Sequence, residues 1–408
     1  MRPLDDIVVL DLSRVLAGPY ASMHLADMGA RVLKIEEPGK GDDTRGFGPP
    51  FLGPPTVAGR GESTYFLSVN RGKESIAVDL KHPQGKALIR QLAQKADVVL
   101  ENFRPGVLEK LGLGAAELRA LNPRLIFCSI SGYGHAGLAE YAQKPGYDPV
   151  AQNLGGLAGV TGPKDGAPFK AGYSIADVTA GMLAIQGILL ALYARTRTGR
   201  GQTVDISLLD GQVALMAYHS TSTAATQRPP ARHGNGHPNI VPFGTFAAQD
   251  GYVTIGVAND TLFGTFSKLC GMPQWLADAR FATNAARVEN RDAMEAALAP
   301  IVAQKTVDAW VKLLDDAGIP AGPVLNVLQT LSHPQVVARN MVVTADHPTA
   351  GTITMTGVPV KLSDTPGEAR GRPPLLGEHT ASALMDVLGL SEADVAQLRK
   401  DGALGKMS

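Results

Sequence analysis

The chain has 408 residues, with 38 basic and 38 acidic side chains, 44% hydrophobic residues, 46 glycines and 28 prolines. A single hydrophobic core rarely grows to that length, so we expect two domains, and the composition is typical of a folded α/β enzyme with many tight loops. Because the charges cancel, no global positive field favours a polyanion, and we expect no nucleic-acid partner.

The first third of the chain alternates between strand-like and helical patterns. The first unit has a strand at Ile7–Leu12, a helix at Tyr20–Met28 and a strand at Arg31–Ile35. The pattern then continues as strand, helix, strand, helix and strand: Ser75–Asp79, Pro83–Lys95, Asp97–Glu101, Ala115–Leu121 and Leu125–Ser129. Such alternation predicts an α/β fold with a parallel sheet and right-handed crossovers.

In a parallel sheet of this kind, ligands bind at the carboxyl ends of the strands. We therefore expect the functional site in the loops that follow these strands: Ser13–Pro19, Glu36–Arg45, Asn102–Gly106 and Ser131–Tyr147.

The most apolar stretch, Val178–Tyr193, is interrupted by polar residues and glycines and is short for a membrane span. It predicts a buried helix, and we expect no membrane association. Two Asp residues directly precede the first apolar run, which is not typical of a signal peptide. Cys128 and Cys270 are far apart and match no disulfide or zinc pattern, as expected for a cytoplasmic protein.

The second half of the chain predicts a smaller α/β domain and a C-terminal return. Thr221–Gly236 is rich in Thr, Pro and Gly and marks a boundary, and the Pro/Gly run Gly318–Val324 closes the smaller unit. We place domain boundaries at residues 1–220, 221–325 and 326–408. Within the last two segments we predict a strand, three helices and a hairpin: Tyr252–Val257, Leu262–Leu269, Arg291–Ala303, Val307–Ala317 and Met341–Val360.

Several familiar catalytic motifs do not occur. No GxGxxG follows the first strand, and no Walker A, HExxH or GxSxG motif is found, which disfavours nicotinamide chemistry, phosphoryl transfer, zinc hydrolysis and serine hydrolysis. His233 and His237 have no further ligands nearby in sequence, so we expect no metal.

Asp177 stands where a polar loop turns into the long apolar helix. One interpretation is an ordinary helix cap or first-turn acid. The other is a nucleophile, because a helix N-terminus can lower the pKa of a carboxyl group and its backbone N–H groups can stabilise an oxyanion.

A series of motifs in a fixed order gives a more specific indication. These are VLDLSRVLAGP, KIEEPGKGDDTRG, YFLSVNRGKESIAVDL, ENFRPG, ISGYG, YDPVAQ, the Asp177 segment with TGRGQ, and PPLLGEHT. From about Leu4 to the C-terminus the chain resembles the class III CoA-transferase family, the relatives of formyl-CoA transferase and carnitine CoA-transferase. The resemblance implies a CoA-transferase that acts on small carboxylic acids, with Asp177 as a covalent nucleophile.

The resemblance also implies a fold and a set of binding residues. The fold is a Rossmann-like large domain built from both chain ends, a smaller middle domain, and an interlocked, ring-like homodimer. CoA is expected to contact Leu16, Ala17, Val78, Lys81, Asn102, Phe103, Arg104, Lys110, Lys144 and Tyr147. Without the resemblance, Lys81, Lys110 and Lys144 are equally well explained as solvated surface charges.

Two further features follow from the same resemblance. A glycine-containing flap over the nucleophile corresponds to Gly234, Asn235 and Gly236, although a plain inter-domain turn explains these residues as well. Leu16 and Glu37 stand where formyl-CoA transferase has a glutamine and an arginine, so we expect differences in the acyl pocket and at the adenine end.

The motifs are most similar to the succinyl-CoA:glutarate branch, which implies a succinyl-CoA donor and a small dicarboxylic acceptor such as glutarate or itaconate. A second carboxylate needs a cation, and Arg14, Arg45 and Arg71 are the candidates. CoA is then a substrate, and no cofactor is expected.

Two alternatives stay open. The first is a racemase of 2-methylacyl-CoA in the same family, in which a histidine occupies the position of Tyr147 and His135 lies nearby in sequence. The second is a CoA-binding protein without catalytic activity.

Overall fold

The computed structural model describes residues 1–55, 59–142 and 144–405. Residue 143 of the predicted loop Ser131–Tyr147 and residues 406–408 of the predicted C-terminal segment lie outside the described residues.

Thirteen strands are assigned in the described ranges: β1 Val8–Asp11, β2 Arg31–Glu36, β3 Phe51–Leu52, β4 Glu62–Ser63, β5 Lys73–Ala77, β6 Val98–Glu101, β7 Ile126–Ser131, β8 Thr203–Ser207, β9 Phe243–Ala247, β10 Tyr252–Gly256, β11 Ala321–Pro323, β12 Val342–His347 and β13 Gly351–Thr356.

Nineteen α-helices accompany them in the same ranges: α1 Ala17–Asp27, α2 Thr64–Val69, α3 Pro83–Lys95, α4 Val107–Leu111, α5 Ala115–Leu121, α6 Ala139–Ala142, α7 Asp148–Leu154, α8 Leu157–Val160, α9 Ile175–Thr198, α10 Leu208–Leu215, α11 Ala217–Thr226, α12 Asp260–Leu269, α13 Asn284–Glu289, α14 Arg291–Val302, α15 Val307–Asp315, α16 Val327–Ser332, α17 Pro334–Ala338, α18 Thr380–Leu388 and α19 Glu392–Lys400.

Contacts divide the chain into two compact units. Unit 1 comprises Met1–Gly156, Gly172–Ala217 and Pro334–Ser408, so it draws on both chain ends, and unit 2 comprises Leu157–Ala171 and Tyr218–His333. The segment Leu157–Ala171, which the sequence analysis placed in the N-terminal domain, is part of unit 2.

Unit 1 is organised around a six-stranded sheet in the order β5-β2-β1-β6-β7-β8. Every neighbouring pair is parallel, which confirms the predicted α/β fold with a parallel sheet. The edge strand β8 was not predicted, because its TVDIS sequence is half exposed and lacks the apolar run of a buried strand.

Both faces of this sheet are covered by helices. Residues alternate along the strands, so that Val9 and Val98 face a core shared with α1 and α9, whereas Leu10 and Val99 face a core shared with α3, α18 and α19. The carboxyl ends of the strands stay open between these two layers. The order of the strands reverses between β1 and β6, which is where a doubly wound sheet has its binding crevice.

The helix α9 extends beyond the predicted stretch Val178–Tyr193 at both ends and is less buried than predicted. It has 24 residues, and by length and hydropathy alone it could cross a membrane, but 39% of its most apolar window is buried inside the protein. One face, formed by Ala180, Ala184 and Ile188, is fully buried. The opposite face leaves large apolar side chains exposed, among them Leu190 at 60% and Tyr193 at 64%.

Unit 2 is built on a three-stranded antiparallel sheet in the order β11-β10-β9, which packs against α12, α14 and α15 around the buried Trp310 and Phe263. The Pro/Gly run that the sequence analysis took only as a closing turn contains the edge strand β11. Because β11 has one free edge, Pro323 is tolerated there.

In unit 1, the predicted hairpin Met341–Val360 is formed by β12 and β13.

Candidate active site

Asp177 lies in the first turn of α9, but it does not cap the helix. The N-cap residue, Ser174, makes no side-chain cap hydrogen bond. Instead Asp148, at the start of α7, accepts a hydrogen bond from the backbone N–H of Ala176 at 2.8 Å, and its other oxygen accepts from Gln152 Nε2 at 2.6 Å. Among the described residues, no hydrogen bond to the Asp177 carboxyl group is found, so Asp177 is not needed as a cap.

The environment raises the pKa of Asp177 to about 7, from its usual value of 3.8. Burial is the main cause, because it removes water from the charged form, and the nearby Asp148 carboxylate adds to it. The expectation that the helix N-terminus would lower this pKa was wrong, since desolvation and a like charge outweigh the helix dipole. Both the ionised and the neutral form of Asp177 are therefore accessible near neutral pH.

Asp177 lines a cavity of about 190 Å³ in unit 1, called the Asp177 cavity below. The predicted residues brought together here are Leu16, Ala17, Asn102, Phe103, Arg104, Lys144, Tyr147 and Arg14.

A second cavity of about 430 Å³, the outer cavity, opens at the reversal point of the sheet. It contains the predicted residues Val78, Lys81, Lys110, Phe103 and Arg14. Phe103 and Arg14 line both cavities, so the two spaces meet at these side chains. Lys40 also lines the outer cavity and was not predicted.

The three predicted carboxylate-binding arginines have different surroundings. Arg71 is fully buried and forms a two-pronged ion pair with Asp27, at 2.9 and 2.7 Å, and it lines neither of the two cavities. Arg45 is equally committed to the buried Glu36, with two contacts of 2.7 Å. Arg14 differs, because its side chain is 48% exposed and its carboxylate partner, Asp43 at 3.2 Å, is itself partly exposed.

Asn102 has a second use besides lining the cavity. Its side-chain oxygen accepts from the backbone N–H of Arg14 at 2.8 Å, and its amide nitrogen donates to the backbone carbonyl of Arg14 at 2.6 Å. Asn102 therefore fixes the loop that follows β1.

The predicted flap residues lie in unit 2, where they form a tight turn. Gly234 has φ +56° and donates to the carbonyl of Gly162 at 3.1 Å. Gly244 must lack a side chain there, because a Cβ would come within 2.9 Å of the Asn235 carbonyl oxygen. Within the described ranges, no group of three or more His, Cys, Asp or Glu residues could hold a metal ion.

Two residues near Asp177 were not predicted from the sequence. Asp148 carried a usable signal, because an Asp-Pro pair often starts a helix. Tyr65 carried none. Burial and the charges of Asp177, Asp148 and Asp42 raise the pKa of its phenol to about 12, so the hydroxyl stays protonated at neutral pH.

Comparisons with known proteins identify the family of this chain. A family model described as CoA-transferase family III matches residues 4–380. The chain is similar to a succinyl-CoA:glutarate CoA-transferase of Mus musculus, with 39% identity over 99% of this chain and 91% of the relative. It is also similar to an acetyl-CoA:oxalate CoA-transferase of Acetobacter aceti, with 42% identity over 91% of this chain and 93% of the relative.

The fold is similar to a crystal structure of a CAIB/BAIF family protein from Brucella suis. The TM-score is 0.84 at 40% identity, and the match covers 95% of this chain and 99% of that one. The chain therefore belongs to CoA-transferase family III, as its motifs indicated, and it is a CoA-transferase.

Proposed function

We propose that the enzyme moves CoA from succinyl-CoA to a small dicarboxylic acid such as glutarate or itaconate, with Asp177 as the covalent nucleophile. The observation that carries the proposal is a half-buried carboxyl group at the head of α9 that has no capping task and no cationic partner among the described residues, in a cavity lined by cationic side chains. A carboxylate in such a place is poised to react rather than to stabilise the fold.

The proposed chemistry is a series of acyl exchanges. The Asp177 carboxylate attacks the donor thioester, the C–S bond breaks, and an aspartyl anhydride and CoA thiolate form. The thiolate then attacks the aspartyl carbonyl, which releases the donor acid and leaves an aspartyl-CoA thioester. The acceptor carboxylate attacks this thioester, the C–S bond breaks, and a second anhydride and CoA thiolate form. The thiolate then attacks the acceptor acyl carbon of this anhydride, which gives the CoA thioester of the acceptor and restores the Asp177 carboxylate. The steps balance without a metal, ATP or a further cofactor.

We place CoA across the two cavities. The outer cavity offers the space for the adenosine part, with Lys40, Lys81 and Lys110 able to pair with phosphates. The pantetheine arm would pass Phe103 and Arg14, which line both cavities, and bring the thioester to Asp177. Arg104 and Lys144 line the inner end of this path.

For the second carboxylate of the acceptor we retain Arg14 among the three predicted arginines, because Arg45 and Arg71 already have buried carboxylate partners. Breaking either of those pairs would leave an uncompensated buried charge, which is strongly unfavourable. Glutarate and oxalate, the acids in the names of the two relatives, are both dicarboxylates.

No observation favours the two alternatives. The exposed Tyr147 occupies the position of the histidine that the racemase alternative requires, and a phenol is a weak base at neutral pH. Nε2 of His135 lies 3.9 Å from a Glu101 oxygen, and this residue does not line the Asp177 cavity.

We further propose a homodimer in the cytoplasm. Exposed apolar side chains lie on α7, α9 and α10, three helices that contact one another, and are together named here the apolar face: Val150, Leu154, Met182, Leu189, Leu190, Tyr193, Val213 and Leu215. Large contiguous apolar patches mark interaction surfaces, and a second copy of the chain fits the implied interlocked dimer. Both cysteines are free thiols, as in a reducing compartment.

Replacement of Asp177 tests the nucleophile. Asp177→Asn and Asp177→Ala should each lower kcat by at least about four orders of magnitude, because no neighbouring group can replace a covalent carboxylate. The affinity for CoA, measured by calorimetry, should change less than about threefold. A variant Asp177→Asn that turns over at more than a few per cent of the wild-type rate, with deamidation excluded by mass spectrometry, would contradict the assignment.

The raised pKa of Asp177 predicts opposite effects of pH on activity and stability. Only the ionised carboxylate attacks, so kcat/KM for succinyl-CoA should fall about tenfold per pH unit well below pH 7 and reach a plateau above it.

Between about pH 4 and pH 7 the Asp177 carboxyl group holds its proton in the folded chain but loses it in the unfolded chain. The free energy of unfolding is therefore highest at low pH and falls as the pH rises through 7. Asp177→Asn should therefore be more stable than wild type at pH 8, by about 2–4 kcal/mol, with a smaller difference at pH 5. Denaturant titrations at both pH values check this. A difference independent of pH would show that Asp177 keeps an ordinary pKa.

A panel of acceptors tests the dicarboxylate assignment. Glutarate should react with a much higher kcat/KM than the monocarboxylate of equal chain length, and Arg14→Leu should remove most of this preference, about 10–100-fold. As a matched control, Lys81→Ala should raise the KM for succinyl-CoA and leave the preference between acceptors unchanged. Equal rates with both acids would refute the assignment.

The oligomeric state tests the role of the apolar face. Sedimentation at micromolar concentration should show a dimer without monomer, and Leu190→Glu should weaken it, because a charge would be buried in an apolar contact. Leu121→Glu changes an exposed leucine elsewhere in unit 1 and should leave the dimer intact. A stable, active wild-type monomer would contradict the proposal.

A further inference from the structure

The loop between β1 and α1 holds an uncommon backbone conformation. Val15 has φ +70°, in the left-handed region. A β-branched residue is a genuine outlier there, because its side chain crowds the backbone. Such a conformation persists only where its surroundings over-determine it, and such residues cluster at functional sites. Val15 lines the Asp177 cavity.

Side chains from other elements hold the main chain just before Val15. Nζ of Lys34, on β2, donates to the carbonyl of Ser13 at 3.0 Å. The side chain of Asn102 exchanges two hydrogen bonds with the main chain of Arg14. The approach to Val15 is therefore fixed from both sides of β1.

Asp42 holds Val15 itself. One oxygen of its buried carboxylate accepts the Val15 N–H at 3.2 Å, and the same oxygen accepts from the N–H and hydroxyl of Thr44 at 2.9 and 2.8 Å. The other oxygen pairs with Nζ of Lys34 at 2.9 Å. Burial alone would raise the pKa of Asp42, but the charge of Lys34 and these hydrogen bonds lower it to about 2. Asp42 is thus a permanently charged acceptor.

The residues after Val15 stand beside Asp177. Leu16 and Ala17 line the Asp177 cavity at the start of α1, whose N-terminus has no side-chain cap. Gly181 lies one turn after Asp177 on α9, and a Cβ at this position would come within 2.8 Å of the Ala17 carbonyl oxygen. The close packing of Gly181 against the Ala17 carbonyl leaves no room for the backbone to shift. The conformation of Val15 therefore sets where the backbone of Leu16 and Ala17 lies relative to Asp177.

We propose that Asp42 is a positioning residue of the transfer reaction, which holds Val15 in its left-handed conformation and so fixes the backbone of Leu16 and Ala17 beside the carboxyl group of Asp177. Asp42 acts through the loop and does not touch the reacting atoms. The inference rests on the proposed role of Asp177, but its test does not depend on that role.

A double-mutant cycle between Asp42 and Val15 tests the proposal. Glycine adopts a left-handed φ without strain, so Val15→Gly removes the need for a residue that enforces it. Asp42→Ala should lower kcat by about 30–100-fold when Val15 is present, because the loop relaxes away from Asp177. In the Val15→Gly background the same change should cost less than about fivefold. The KM for succinyl-CoA should change less than kcat does in each case, although Asp42 also lines the outer cavity.

A merely structural role would give a different pattern. An equal loss of kcat in both backgrounds, or no loss in either, would overturn the proposal. If Asp42→Ala does not fold, Asp42→Asn replaces it in the cycle, since it keeps an oxygen for Val15 but removes the charge that pairs with Lys34. A loss of about 3–10-fold that Val15→Gly relieves is then expected, and a loss that is not relieved refutes the proposal.

The matched control is Asp27→Ala, which breaks another fully buried ion pair of unit 1, with Arg71, but touches no loop amide. It should lower the melting temperature and leave kcat close to the wild-type value, and a loss of kcat as large as that of Asp42→Ala would show that any buried ion pair has this effect. An active Asp177→Asn enzyme would contradict the role of Asp177 as nucleophile but not the role of Asp42, because the coupling between Asp42 and Val15 is measured in enzyme that keeps Asp177.

Discussion

The candidate site depends on a close contact between two helices. Gly181 of α9 leaves room for the Ala17 carbonyl and the Tyr20 ring of α1, and any larger residue there would meet these atoms at 2.8 and 2.9 Å. This approach joins the loop that follows β1 to the turn that carries Asp177. At Gly18, a Cβ would meet the Ser13 side chain at 2.2 Å, so the loop must also fold back tightly upon itself. The two glycines therefore allow the backbone beside Asp177 to come as near as it does.

Cationic partners set the direction of the pKa shift of several buried carboxyl groups of unit 1. The charge of Lys34 and several hydrogen bonds lower the pKa of Asp42, and cationic neighbours also lower the pKa values of Glu36 and Asp11 despite their burial. Asp177 is half-buried and has no cationic partner among the described residues, and its pKa rises. The first three groups organise the loops at the carboxyl ends of the strands. The pKa of the buried Glu101 also rises to about 7, but Asp177 is the one of the two that lines the Asp177 cavity.

Much of the fold could be predicted because its patterns are local. Continuous apolar runs gave the buried parallel strands, and α3 and α5 begin and end where their predicted counterparts do. The strand β8 was not predicted, because half-exposed edge strands lack a strong pattern. The true extent of α9 was also underestimated, since polar residues and glycines interrupt its apolar stretch.

Site residues could be predicted only where they lie in a sequence motif shared with the family. Asp177 and the residues of the two cavities were identified through the resemblance, and the structure brings them together. The partners of Arg45 and Arg71 could not be predicted, because the ion pair with Asp27 joins residues that are 44 positions apart in sequence and depends on the folded packing. The left-handed Val15 could not be predicted either, since nothing in a valine signals that conformation.

The central claim is that Asp177 becomes covalently acylated, and its most direct test is to trap the intermediate. Enzyme mixed with succinyl-CoA, quenched in acid and digested, should yield a peptide spanning Asp177 that carries the mass of a succinyl or CoA adduct. Hydroxylamine should remove the adduct, because anhydrides and thioesters are attacked by this nucleophile. An adduct on a different residue, or none during active turnover, would contradict the account.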